Sequence, residues 1–156
     1  SAGGNLAAAV CLKARNEGGR SPVYQLLLYP ALDLSSFDTG SYRECGEGYG
    51  LPLEMMEWCR GHYLPAEEDR LNPYASPLVE KDLTGLPPAF ILTAEFDPLR
   101  DEAAAYANRL KDAGVPVKYS CYDGMVHGFL SVGGAMSRAE EAIGEAASEL
   151  RANFKC

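Results

Sequence analysis

The chain is 156 residues long and 47% apolar, which suffices for one hydrophobic core and sets one domain as the default. Its 22 Asp and Glu against 14 Lys and Arg give a net charge of −8, which argues against the basic surface that nucleic acid or an anionic membrane requires. No stretch is long and apolar enough to cross a bilayer, and five scattered cysteines (Cys11, Cys45, Cys59, Cys121 and Cys156) without a C-x-x-C pair argue for buried, reduced thiols in a cytoplasmic protein rather than a disulfide framework or zinc site.

In chain order, helices and strands alternate. Residues 2–16 read as a helix, with Leu6, Ala9, Val10 and Lys13 carrying an apolar stripe to a polar edge and Gly18-Gly19 ending it. Val23 to Tyr29 is a nearly continuous apolar run stopped by Pro30, the pattern of a parallel strand buried on both faces. Residues 31–51 are rich in Ser, Gly, Asp and Glu and read as loop. Pro52 suits the first turn of a helix through Met56, Cys59 and Tyr63. Residues 65–88 form a Pro-punctuated connection, and Ala89 to Ala94 is a second buried strand. A helix over 99–113 follows, with Gly114 as a left-handed stop and Pro116 beyond it. Val117 to Tyr122 alternates, as a strand nearer an edge does. The last helix is expected over 138–154, with Ala139, Ile143, Ala146, Leu150 and Phe154 as its stripe and a Ser137-x-x-Glu140 capping box.

This order predicts an α/β fold: about three parallel strands, flanking helices, and a helical insertion at about 37–88 between the first two strands. A first strand apolar on both faces asks for a neighbour on each side, and the chain supplies one. A missing strand partner is therefore expected, and the bare edge is a template for aggregation.

The candidate chemistry starts at Ser1. A serine followed by Ala2-Gly3-Gly4 and an Ala/Leu-rich helix has the form of the second half of a nucleophile elbow. The glycines allow a sharp bend and close helix packing, and the Ala2 N–H can serve a developing oxyanion. An activated serine needs a base, and the base needs an orienting acid. His62 sits in the insertion helix beside Trp58 and Cys59 and reads as a partly exposed helix residue. His127 lies between glycines just after the third strand, at the carboxyl end where open α/β sheets place their sites. Asp97 follows the second strand directly; standing before Pro98, it reads equally well as a helix N-cap. Asp101 and Glu102 read as first-turn acids favoured by the helix dipole. Asp97 stands out because Ser, Asp and His follow one another at the ends of successive elements.

Four segments in register, SAGGNLAA (1–8), LLLYPALD (26–33), DPLRDEA (97–103) and GMVHGF (124–129), resemble the C-terminal half of the hormone-sensitive lipase-like family of α/β-hydrolases, which includes bacterial carboxylesterases. The resemblance implies that residues 1–156 are the C-terminal half of one catalytic domain. It implies Ser1 as nucleophile, Asp97 as acid, His127 as general base and the Ala2 N–H as an oxyanion donor. It further implies hydrolysis of short- to medium-chain esters, a small-molecule substrate, without metal or organic cofactor; charge and hydropathy, for their part, lead us to expect no nucleic-acid partner and no stable membrane insertion, and an oligomer is left open. The family's HGGG segment, which supplies further oxyanion donors, has no counterpart here, so the 156 residues alone are expected to be nearly inactive. Tyr49, Met55, Met56 and Trp58 read either as apolar wall of the pocket or as ordinary helix packing. Two alternatives stand beside this reading. One is a non-catalytic ligand-binding module of the same fold. The other is an N-terminal-nucleophile hydrolase, whose stacked antiparallel sheets sit poorly with alternating helices and strands.

Overall fold

Residues 1–154 are described in the computed structural model. Their sheet is parallel throughout, in the order β1-β2-β3, with β1 at Gln25–Leu28, β2 at Ala89–Phe96 and β3 at Val117–Val126. β2 is central and buried on both faces, as its unbroken apolar run requires. The period of two along it separates two cores. Ala89 and Ile91 face Leu12, Leu27, Tyr106 and Leu110, beneath α1 (Ala2–Asn16) and α4 (Arg100–Asp112). Phe90, Leu92 and Ala94 face Tyr122, Phe129, Ala139 and Ala142, beneath α5 (Ser137–Asn153). The result is a three-layer α/β/α stack. β1 pairs with β2 alone among the described residues, and β3 forms the other edge.

Between β1 and β2 lies the helical insertion, with α2 (Gly40–Cys45), α3 (Leu53–Tyr63) and two 3₁₀ turns at Glu67–Leu71 and Pro77–Val79. α2 falls in the stretch read as loop. Its sign is Thr39, an N-cap whose hydroxyl accepts from the Tyr42 N–H at 3.3 Å. A third cluster, Ala31, Tyr42, Met56 and Leu99, ties the insertion to the start of α4.

Several local expectations are corrected. The buried face of α1 is Gly4, Asn5, Ala8, Ala9, Cys11 and Leu12, while Leu6 and Val10 are 52% and 56% exposed. The helix turns its small residues to the sheet because close approach needs them: a Cβ on Gly4 would lie 2.7 Å from Pro30 Cβ. In α5 the buried stripe is Ala139, Ala142 and Ala146, with Ile143 and Phe154 exposed. The capping box does not form: Ser137 is the first helical residue, and the N-cap position belongs to Met136, whose carbonyl takes the Ala139 and Glu140 N–H groups. Cys11 and Cys45 are buried, but Cys59 and Cys121 are exposed, and Cys156 lies outside the described residues. Gly18 and Gly114, at φ +66° and +75°, end α1 and α4 as expected. No helix among the described residues is long and apolar enough to cross a membrane.

Candidate active site

The meeting of Asp97 and His127 follows from strand register. β2 and β3 pair residue for residue up to Ala94 and Tyr122; the next pair is Phe96 with Val126, two residues further along β2 and four along β3. The surplus in β3 is a bulge around Gly124, whose φ of +75° suits glycine and whose N–H donates to Glu95 Oε2 at 2.6 Å. Because Phe96 and Val126 are partners, the next residues of the two strands, Asp97 and His127, emerge side by side. His127 Nδ1 lies 2.7 Å from Asp97 Oδ2. A carboxylate only accepts, so Nδ1 carries the proton and Nε2 is the basic nitrogen.

Asp97 has no solvent exposure. Its Oδ1 accepts the Leu99 N–H at 2.8 Å, but Asp97 is not the expected N-cap: α4 begins at Arg100, Leu99 holds the cap position without a side-chain capping bond, and the Asp97 carboxylate instead braces the turn before the helix while it holds His127. The loop that holds it is clamped from the insertion. Ser41 donates its N–H to Asp101 Oδ2 at 2.7 Å and its hydroxyl to the Pro98 carbonyl at 2.6 Å. Asp101 and Glu102 are thus not simply dipole-favoured first-turn acids. Glu102 is 1% exposed, and its Oε1 accepts the Leu32 N–H at 2.6 Å. Burial pushes its carboxyl up to about 8 against the opposing pull of the Leu32 and Asp33 N–H groups. Its Oε2 and the nearby Tyr42 hydroxyl make no hydrogen bond among the described residues.

Ser1 is the N-cap residue of α1, yet its hydroxyl forms no capping bond and is left free for other work. Its carbonyl accepts the Asn5 N–H at 3.0 Å and the Ala31 N–H at 3.3 Å, which ties it to the segment leaving β1. The Ala2 N–H, in the first helical turn, belongs to the donors an α-helix leaves unpaired.

A cavity of about 270 Å³ adjoins Ser1 and Ala2 and is walled by Leu6, Leu34, Leu51, Met56 and Tyr63, with Cys59 and Arg60 also lining it. Of the four residues considered for an apolar wall, Met56 serves. Met55 and Trp58 are exposed on another side of α3, and Tyr49 stacks on Phe96 with ring centroids 5.1 Å apart. His62 is exposed and its Nδ1 lies 2.8 Å from the Trp58 carbonyl, well accounted for as a helix residue. No group of three or more metal-binding side chains gathers among the described residues.

Three positions escaped sequence reasoning. Asn5 is buried and donates both amide hydrogens, to the Ala31 and Ala75 carbonyls at 2.8 and 2.7 Å, locking α1 to the insertion. Its place on the 5-8-12 face of α1 was the available signal, as was that of Glu102 on the 99-103-106-110 face of α4. The third, Tyr29, has a positive φ that no pattern announces.

The profile of a family described by the alpha/beta hydrolase fold matches residues 1–131. The carboxylic ester hydrolase LipN of Mycobacterium tuberculosis is 42% identical over 163 aligned residues, which cover 99% of this chain and 42% of LipN. An arylesterase of Saccharolobus solfataricus is 42% identical over 132 residues, covering 83% of this chain and 42% of that protein. The structure of EstE1, a thermostable carboxylesterase cloned from a metagenomic library, superposes with a TM-score of 0.95 at 42% identity, over 100% of this chain and 53% of EstE1. The chain spans about half the length of the curated relatives it matches.

Proposed function

The chain belongs to the α/β-hydrolase fold family, in its hormone-sensitive lipase-like branch, and from that premise we propose that it carries the nucleophile, acid and base of a serine carboxylic ester hydrolase. The observation that carries the reading is the 2.7 Å bond between His127 Nδ1 and the buried Asp97; Tyr29, whose ring packs on His127, stands two residues before Ala31, whose N–H donates to the Ser1 carbonyl. The parallel sheet also speaks against the N-terminal-nucleophile alternative, whose architecture is antiparallel.

In the proposed mechanism, His127 Nε2 takes the proton of Ser1 Oγ as the oxygen attacks an ester carbonyl. The Ala2 N–H donates to the oxyanion that forms. Asp97 holds the imidazole in the tautomer with Nδ1 protonated and stabilises the imidazolium. His127 then protonates the leaving alcohol, and a water molecule, activated in the same way, releases the acid from the acyl-enzyme. The apolar cavity beside Ser1 supports short to medium acyl or alkyl groups as its occupants. We further propose that these residues form the C-terminal half of one catalytic domain, that remaining oxyanion donors come from elsewhere in the polypeptide, and that the 156 residues alone turn over esters poorly. The spacing of the cysteines supports a cytoplasmic setting for the whole.

The test uses the complete polypeptide that contains these residues and a p-nitrophenyl butyrate assay. Ser1→Ala and His127→Ala should each lower kcat by at least about 10³-fold while the fold persists. Turnover unchanged in either variant would remove that residue from the mechanism. Ester binding without turnover in the unsubstituted protein would favour the ligand-binding alternative.

A further inference from the structure

Tyr29 is the one non-glycine residue with a positive φ among the described residues, at +34°. A side chain disfavours that backbone, and such strain persists only where neighbouring contacts over-determine it. Those contacts are specific. The Tyr29 N–H donates to the Leu92 carbonyl at 2.6 Å, extending the β1–β2 ladder by one bond. Pro30 sits so close to α1 that a Cβ on Gly4 would come within 3.0 Å of Pro30 Cα. The Ala31 N–H reaches the Ser1 carbonyl at 3.3 Å, and the Ala31 carbonyl accepts from Asn5 at 2.8 Å. The tripeptide 29–31 is therefore anchored to β2 at one end and to the nucleophile helix at the other.

What the strained backbone achieves is the direction of the Tyr29 ring. The ring lies against the imidazole of His127, with centroids 4.8 Å apart and planes tilted by 58°. The same ring meets the buried Phe129 edge-on, with centroids 6.3 Å apart. Asp97 grips the imidazole at Nδ1, but a single hydrogen bond is a hinge. The Tyr29 ring supplies the stop that a hinge lacks, and misplacement of a catalytic group by even a small angle is costly in rate. The phenol makes no hydrogen bond among the described residues, and both burial and the charge of Asp97 keep it protonated. The ring face, not the hydroxyl, is thus the working part.

We propose that Tyr29 is a positioning residue for the general base: its ring holds the His127 imidazole in line with Ser1, and the strained Tyr29-Pro30-Ala31 turn couples that ring to the nucleophile's own backbone. The proposal rests on His127 acting as the base.

The test measures kcat and KM for p-nitrophenyl butyrate in the complete polypeptide, with thermal unfolding recorded for each variant. Tyr29→Phe keeps the ring and should stay within about twofold of the parent. Tyr29→Leu fills much of the space without an aromatic face and should lower kcat roughly 3- to 10-fold, the worth of one aromatic contact, with KM nearly unchanged. Tyr29→Met makes the same comparison if the Leu variant does not fold. The downfield Nδ1–H resonance of a hydrogen-bonded imidazole should persist in the Phe variant and broaden in the Leu or Met variant. A Leu or Met variant with parental kcat overturns the proposal, as does one that raises KM alone, since the ring would then be lining substrate. A Phe variant as impaired as Leu also overturns it, by moving the role to the hydroxyl. Parental turnover in His127→Ala would instead sink the underlying triad reading, so the two failures are distinct.

Discussion

Replacing Asp97 by Asn asks one side chain to do two jobs with half the equipment. In the native protein Oδ1 accepts from the Leu99 N–H at 2.8 Å and Oδ2 accepts from His127 Nδ1 at 2.7 Å, with the carboxylate wholly out of solvent. Asparagine has one acceptor and one donor group. If its carbonyl stays with Leu99, its NH₂ faces Nδ1 and drives the imidazole proton to Nε2, where the base can no longer accept from Ser1. That arrangement should cost kcat about 10⁴-fold, as the same change does in a serine-protease triad, or roughly 5 kcal/mol on the barrier. If the amide flips, its carbonyl serves His127 but two donors confront each other at Leu99 in a dry site. That arrangement preserves some activity and should cost about 1–3 kcal/mol of stability. Both quantities are read on the complete polypeptide: turnover of p-nitrophenyl butyrate, and the midpoint of thermal unfolding. A variant within tenfold of parental kcat and equal in stability would refute the dual role of Asp97.

Two more predictions concern what supports the site. The folded-state carboxyl of Glu102 is pushed up to about 8 by burial, against an ordinary value of 4.5. The folded chain therefore binds this proton more tightly than the unfolded chain, so the group's contribution is complete below about pH 4.5 and is lost as pH rises to about 8. At about 1.4 kcal/mol per pH unit the upper limit is near 5 kcal/mol, and relaxation around the charge reduces it to roughly 2–3 kcal/mol. Glu102→Gln should match the parent in urea midpoint near pH 4.5 and exceed it at pH 9; parallel curves across that range would contradict the assignment. Gly4→Ala forces a Cβ to 2.7 Å from Pro30 Cβ, so α1 must move and carry Ser1 with it. A loss of about 1–3 kcal/mol in stability with a fall in kcat should result. Gly3→Ala, where nothing lies within 4 Å, should be neutral or stabilising; identical behaviour of the two variants in thermal unfolding would count against the close-packing argument.

What the sequence determined by itself is the three strands and the four longer helices, but not the short α2 or the 3₁₀ turns of the insertion, together with the parallel arrangement of the strands, the family, and the three residue types on which the chemistry is proposed to rest. Those follow from local physics: period-two and period-3.6 patterning, Pro and Gly punctuation, and short motifs whose order along the chain is itself the signal. Only the tertiary structure decided which side of α1 and α5 meets the sheet, because that depends on how near the backbones come, and Gly4, Ala8, Ala139 and Ala142 permit an approach that Leu6 and Ile143 do not. Tertiary contact likewise turned Glu102 and Asn5 from helix residues into clamps on the segment beside Ser1. The pairing of Asp97 with His127 belongs to the same class. Thirty positions separate them in the chain, and what joins them is a bulge that lets Phe96 face Val126, a property of two strands together that neither strand's sequence contains.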